Sequence, residues 1–129
     1  MHTIGDWDRH SQMGQPMRQG HDSIGVVDVP AAALWGAQTQ RSINNFAIGH
    51  QKIPAELIHA LARIKQCCAA VNGRHGLLND QQVALIEGAG QAIQTGQHDH
   101  HFPLSVWQTG SGTQTNMNVN EVISNLAAQ

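Results

Sequence analysis

Over residues 54–72 the apolar side chains Leu57, Leu61, Ile64, Cys68 and Val71 recur at alternating intervals of four and three. With 3.6 residues per turn, that spacing puts them on one stripe and predicts an amphipathic helix. Pro54 suits its first turn, where a missing N–H costs nothing, and Gly73 suits a C-terminal stop. A second helix is predicted over residues 80–95, with Asn79 as N-cap, Gln82 at the capping-box position and Gly96 as terminator. Its stripe is Val83, Ile86, Gly90 and Ile93. Gly88 and Gly90 each cost about 1 kcal/mol relative to alanine, so this helix depends on its neighbours. A glycine on the stripe also lets another helix come close. A third long helix begins near Thr115, with Val119, Val122, Ile123 and Leu126 in phase. It carries no stop signal before Gln129, the pattern of an interrupted helix.

Between these stretches the pattern is weaker. Residues 31–46 contain a short helix around residues 38–45, and residues 23–30, with Val26, Val27 and Val29 before Pro30, suit a short extended segment. Residues 1–22 show neither period and are expected to form a disordered leader, which leaves residues 23–129 as the folded unit. The fold class expected from this pattern is all-α, mainly helical.

Charge narrows the partners. Seven Lys plus Arg stand against nine Asp plus Glu in 129 residues, without the clustered cations that nucleic acid or an anionic membrane requires. No apolar run approaches the roughly 18–20 residues that span a bilayer. The first twenty residues contain no apolar signal core, and Asp6 and Asp8 disfavour a mitochondrial presequence. Cys67 and Cys68 are adjacent within a helical pattern, where thiols pack as small apolar groups. A soluble cytoplasmic protein is expected.

Candidate chemistry concentrates in residues 107–121, Trp-Gln-Thr-Gly-Ser-Gly-Thr-Gln-Thr-Asn-Met-Asn-Val-Asn-Glu. Glycines with neutral hydroxyls and amides at a helix start can cradle a small anion, because the first turn leaves N–H groups free and the helix dipole is positive there. Ser111, Thr113 and the glycine N–H groups are the donors, and Asn116 and Asn120 share a face at i, i+4. The same residues also fit a plain helix cap at Thr113 or Thr115 with solvated asparagines. Ser111 is not a hydrolase nucleophile, since Thr109 and Thr113 occupy the flanking glycine positions of that elbow. A phosphate loop is excluded by the lack of Gly-Lys-Ser/Thr. His98, His100 and His101 beside Asp99 do not converge on one ion, so the patch reads as a surface loop and no metal or other cofactor is expected.

Four blocks carry a resemblance: Leu34-Trp-Gly-Ala-Gln-Thr-Gln-Arg41-Ser, Gly96-Gln-His-Asp99, Phe102-Pro-Leu104 and Trp107 through Val122. In this order they resemble class II fumarase, the metal-free fumarate hydratase, over residues 24–126. Aspartate ammonia-lyase shares the fold, but its loop typically reads Gly-Ala-Gly-Thr-Ser where this chain has Gly110-Ser-Gly-Thr-Gln114, and Gly-Val-Gln-Thr where it has Gly36-Ala-Gln-Thr39.

The resemblance implies reversible hydration of fumarate to (S)-malate, a step of the tricarboxylic acid cycle, without a cofactor. It assigns substrate binding to Ser111, Gly112 and Thr113, with Asn116 as a supporting residue. For Arg41 it leaves a substrate-side role or a structural ion pair open. In the family the active site draws on three subunits of a homotetramer built on a central helix bundle. The family's Ser-Ser-Asn loop, catalytic histidine segment and mobile Gly-Ser-Ser loop come later in the sequence and do not occur here. The expectation is thus the N-terminal domain of the fumarase/aspartase fold, lacking the central bundle, with no catalytic residue of its own and no hydratase activity. The N-terminal domain of an aspartate ammonia-lyase, a non-catalytic assembly module and a truncated remnant are the alternatives.

Overall fold

The computed structural model describes residues 14–129. Two strands form a hairpin, β1 over Met17–Asp22 and β2 over Gly25–Pro30. Four helices follow: α1 over Ala37–Asn45, α2 over Ala55–Arg74, α3 over Asp80–Gln94 and α4 over Thr113–Ala127. A single 3-10 turn, Asp99–His101, lies between α3 and α4. The chain is mainly helical, as its periodicity predicts.

The strand β1 corrects the boundary expected for the leader, whose residues 1–13 lie outside the described residues. Met17–Asp22 is too polar to show a period of two, and its pairing partner supplies the order instead. It runs antiparallel to β2 with Met17 opposite Pro30 and Asp22 opposite Gly25. The Asp22 carboxylate closes the turn by accepting the Ile24 and Gly25 N–H groups at 2.9 and 3.1 Å. Arg18 then donates to the carbonyls of Ala33 and Trp35, so the hairpin holds the segment leading into α1.

The core joins α2, α3 and α4 through Ile58, Ala62, Ala89, Ile93, Phe102, Val119, Val122 and Ile123. The predicted stripes of α3 and α4 face it: Ile93, Val119 and Val122 are fully buried. The capping box at Asn79 is present, with Gln82 N–H donating to Asn79 Oδ1 at 2.8 Å and Asn79 N–H to Gln82 Oε1 at 3.0 Å. Gly96 ends this helix region at a φ of +82°.

Of the stripe expected on helix α2, only Leu61 packs against the core. Ile58, Ala62 and Ala69 are its buried residues, whereas Leu57, Ile64 and Val71 are 48%, 54% and 47% exposed. Close approach of α2 and α3 explains the choice of face. A Cβ at Gly90 would stand 2.5 Å from Gln66 Cγ, and one at Gly73 would stand 2.6 Å from Val83 Cγ2. Small residues at the contact allow that spacing; a row of leucines would not. Gly73 is therefore a packing residue inside the helix, and the left-handed residue after the C-terminus is Gly76, at a φ of +71°. Gln66 seals the contact by donating to the Glu87 carbonyl and accepting from Gln94, both at 2.7 Å.

Candidate functional site

The segment before α4 is held from both sides. Ile53 N–H donates to the Leu104 carbonyl, Val106 N–H to the Gln51 carbonyl and Ser105 Oγ to the Ile48 carbonyl. Phe102 and Leu104 are buried, and the buried Asn118 amide donates to the His101 carbonyl at 3.1 Å. These contacts fix the entry to the Thr109–Thr113 loop while the loop itself stays exposed.

Gly112 occupies the N-cap position of α4 at a φ of +68°, the left-handed region that glycine adopts without strain. Lacking a side chain, it cannot cap the helix. Gln108 caps it instead, its Oε1 accepting the Thr115 N–H at 3.2 Å and its Nε2 donating to Thr115 Oγ1 at 2.7 Å. Capping by Gln108 corrects the simple reading in which Thr113 or Thr115 caps the helix with its own side chain. Nothing in the sequence marks Gln108 for the role, because a glutamine four residues before a cap has no standard signature.

The remaining donors are arranged around the first turn. Thr109 Oγ1 donates to Gln114 Oε1, so the 3.1 Å contact between Thr109 and Ser111 is made by the Ser111 hydroxyl donating. Ser111 Oγ in turn faces the Thr113 N–H at 3.4 Å. Among the described residues, the Gln114 and Ser111 N–H groups and the Thr113 hydroxyl have no protein acceptor. The structure thus brings Ser111, Gly112 and Thr113 together on an exposed, donor-rich helix start. Asn116 follows Thr113 by three residues on the same flank and accepts from Lys65 Nζ of α2 at 2.7 Å.

Arg41 is engaged elsewhere. Its Nε and a terminal nitrogen donate to the two Asp22 carboxylate oxygens at 2.7 and 3.0 Å, a bidentate pair joining α1 to the hairpin. This hydrogen-bonded guanidinium holds the Asp22 carboxyl below the usual carboxylate range. No hydrogen bond links Arg41 to the loop among the described residues, and the geometry supports the ion-pair reading of this arginine.

The histidine patch divides in two. His101 is buried, 8% exposed, and its Nδ1 accepts the Leu34 N–H at 3.1 Å. Burial, reinforced by His100 and His98, pushes its pKa down to about 4. His101 is thus a neutral structural residue rather than part of a surface loop. His98 and His100 remain towards the surface, and Asp99 pairs with His59 at 2.9 Å. Among the described residues no three His, Cys, Asp or Glu side chains are grouped to hold a metal ion, and no helix is long and apolar enough to cross a membrane.

Comparison with known proteins identifies the family. The lyase family model matches residues 25–129. The class II fumarate hydratase of Parasynechococcus marenigrum is 95% identical over 117 residues, covering 91% of this chain and 25% of that protein. The corresponding protein of Prochlorococcus marinus strain MIT 9313 is 62% identical over the same shares of each chain. The crystal structure of class II fumarase from Schistosoma mansoni superposes with a TM-score of 0.85 at 43% identity, over 87% of this chain and 24% of that one. The chain spans about a quarter of the length of the curated relatives it matches. It belongs to the lyase family and is similar, over nearly all of its described length, to class II fumarate hydratases.

Proposed function

We propose that this chain contributes one wall of the dicarboxylate site of a class II fumarate hydratase, which interconverts fumarate and (S)-malate. The observation that carries the reading is the exposed helix start at Gly112, where hydroxyls and backbone N–H groups converge without a charged side chain among Ser111–Thr113. In malate dehydration, removal of a proton beside a carboxylate pushes negative charge onto that carboxylate's oxygens before hydroxide departs. Preorganised neutral donors stabilise such growing charge more than they stabilise the ground state, which is how binding becomes rate acceleration. Thr113 supplies a hydroxyl with no protein acceptor, the Ser111 hydroxyl turns from Thr109 to the anion when it binds, Gly112 sets the backbone turn and Asn116 adds an amide. No residue of this chain is assigned to proton transfer, so by itself it catalyses no hydration.

The same reading carries with it a homotetrameric enzyme in the cytoplasm. A hybrid in which residues 25–129 replace the matching segment of the Parasynechococcus marenigrum relative tests it. The expected result is fumarate consumption at the relative's rate, cut about a hundredfold in kcat/KM by Ser111→Ala. A folded hybrid with normal activity after both Ser111→Ala and Thr113→Val overturns the site. The chain alone is expected to leave fumarate absorbance constant.

A further inference from the structure

Lys65 is the unassigned group nearest to the loop. It projects from the middle of α2, and its Nζ lies 2.7 Å from Asn116 Oδ1 on the first turns of α4, fifty-one residues later. The contact is partly buried. An ammonium has donors only, so this bond fixes the amide with its oxygen towards α2 and its nitrogen away from it. Among the described residues Asn116 Nδ2 has no protein acceptor. Thr113 lies one turn earlier on the same helix face, within the roughly 5–6 Å that separates Cβ atoms at i, i+3.

We propose that Lys65 is a positioning residue for the carboxylate site, orienting the Asn116 amide so that Nδ2 donates to the anion beside Thr113. This inference rests on the dicarboxylate reading of the loop and adds a specific residue to it. An unoriented asparagine can present either its oxygen or its nitrogen, and the oxygen would repel a carboxylate. Locking the amide removes the repulsive orientation, at no cost when the ligand arrives.

The test is a succinate titration of the 129-residue chain followed by nitrogen–proton NMR, reading the Gln114 backbone amide and the Asn116 side-chain amide. Both signals are expected to move together along one saturation curve. Lys65→Met should weaken binding roughly ten-fold at both signals, and Lys65→Arg should restore most of it. In an Asn116→Leu background, Lys65→Met should have no further effect, which a helix tether unrelated to binding would not produce. Lys65→Gln serves in place of the methionine variant if that variant fails to fold. Movement of Gln114 with a stationary Asn116 overturns the role of Lys65 and leaves the carboxylate reading intact. An undiminished effect of Lys65→Met in the Asn116→Leu background also overturns it, because the lysine then acts on the anion directly. Absence of any shift at Gln114 removes both.

Discussion

The carboxylate of Glu121 closes the start of α1 at Gly36. One oxygen accepts the Gly36 N–H at 2.8 Å and the Thr39 N–H at 3.2 Å, and the other accepts the Gln38 N–H at 2.8 Å. A helix whose own N-cap has no side chain thus borrows its cap from α4, eighty-five residues later. The negative charge also opposes the positive end of the α1 dipole.

Removing this cap should be costly. Glu121→Ala leaves three N–H groups without an acceptor and is expected to lower unfolding stability by about 2–3 kcal/mol. Glu121→Gln keeps one acceptor but no charge and should lose about half as much. Gly36→Ala reaches the same interaction from the other side, since its Cβ would stand 2.9 Å from the Glu121 carboxyl carbon. Urea denaturation of the three variants checks the ranking, and an unchanged midpoint for Glu121→Ala would remove the cap from the account.

Thr39 makes the opposite case. It is 1% exposed and its hydroxyl has no hydrogen-bond partner, although its N–H is satisfied by Glu121. An orphaned buried hydroxyl loses its hydration for no return. Thr39→Val keeps the shape and is expected to hold or raise stability by up to about 1 kcal/mol, read as a shift of the urea midpoint. A loss of that size would mean the hydroxyl has a partner in solution.

Helix α2 offers a contrast between apolar residues of similar type. Leu57, Ile64 and Val71 lie on a four–three repeat yet remain about half exposed, whereas Ile93 on α3 is fully buried. The triple change Leu57→Gln, Ile64→Gln and Val71→Gln should alter the chain's stability by less than about 1 kcal/mol, while Ile93→Ala alone should cost about 3 kcal/mol. An exposed seam of this spacing also favours helix–helix association. Sedimentation should show concentration-dependent association of the unaltered chain and its loss in the triple variant.

These same residues mark how far the sequence could be read. Capping at Asn79 and Gln82, the stop at Gly96 and the stripes of α3 and α4 were legible because each depends on neighbours within a few positions. The buried face of α2 was not. A periodicity argument selects the largest side chains, but the decisive fact is the space left by Gly90 and Gly73, which belongs to a pair of helices. Strand β1 was hidden for the same reason, since Arg18 and Gly20 gain their roles only against Ala33, Trp35 and Val29. At the loop, the placement of Ser111, Gly112 and Thr113 at a helix start was readable, but not that the Gly112 N–H is taken by the Thr109 carbonyl. Lys65, Gln108 and Glu121 were not, because their partners are set by tertiary folding or an unusual cap.

Gly112 links backbone conformation to the proposed site. Its φ of +68° is unfavourable for residues with a Cβ, although a Cβ there would meet no atom within 4 Å. Gly112→Ala is therefore expected to cost about 1 kcal/mol through backbone strain alone. The same substitution in the hybrid enzyme should raise KM for fumarate, because relief of the strain rotates the Ser111 and Thr113 donors apart. Unchanged KM with lowered stability would confine Gly112 to a structural role.

His101 sets an acid limit on the fold. Its pKa of about 4 lies below the ordinary 6.5, so between these values the unfolded chain binds a proton that the folded chain refuses. Unfolding stability then rises with pH across this interval. The contribution is complete above about pH 6.5 and is lost as pH falls through the interval towards 4. Protonation would also add a proton at the ring nitrogen that accepts from Leu34, turning a hydrogen bond into a clash of two donors. His101→Asn preserves an acceptor for the Leu34 N–H and removes the titration. Melting temperatures measured from about pH 7 to about pH 4 should fall more steeply for the unaltered chain than for this variant. Parallel curves would show that the acid sensitivity in this interval arises from other groups; the Asp22–Arg41 pair acts only at lower pH, because its carboxyl is held below the ordinary 3.8.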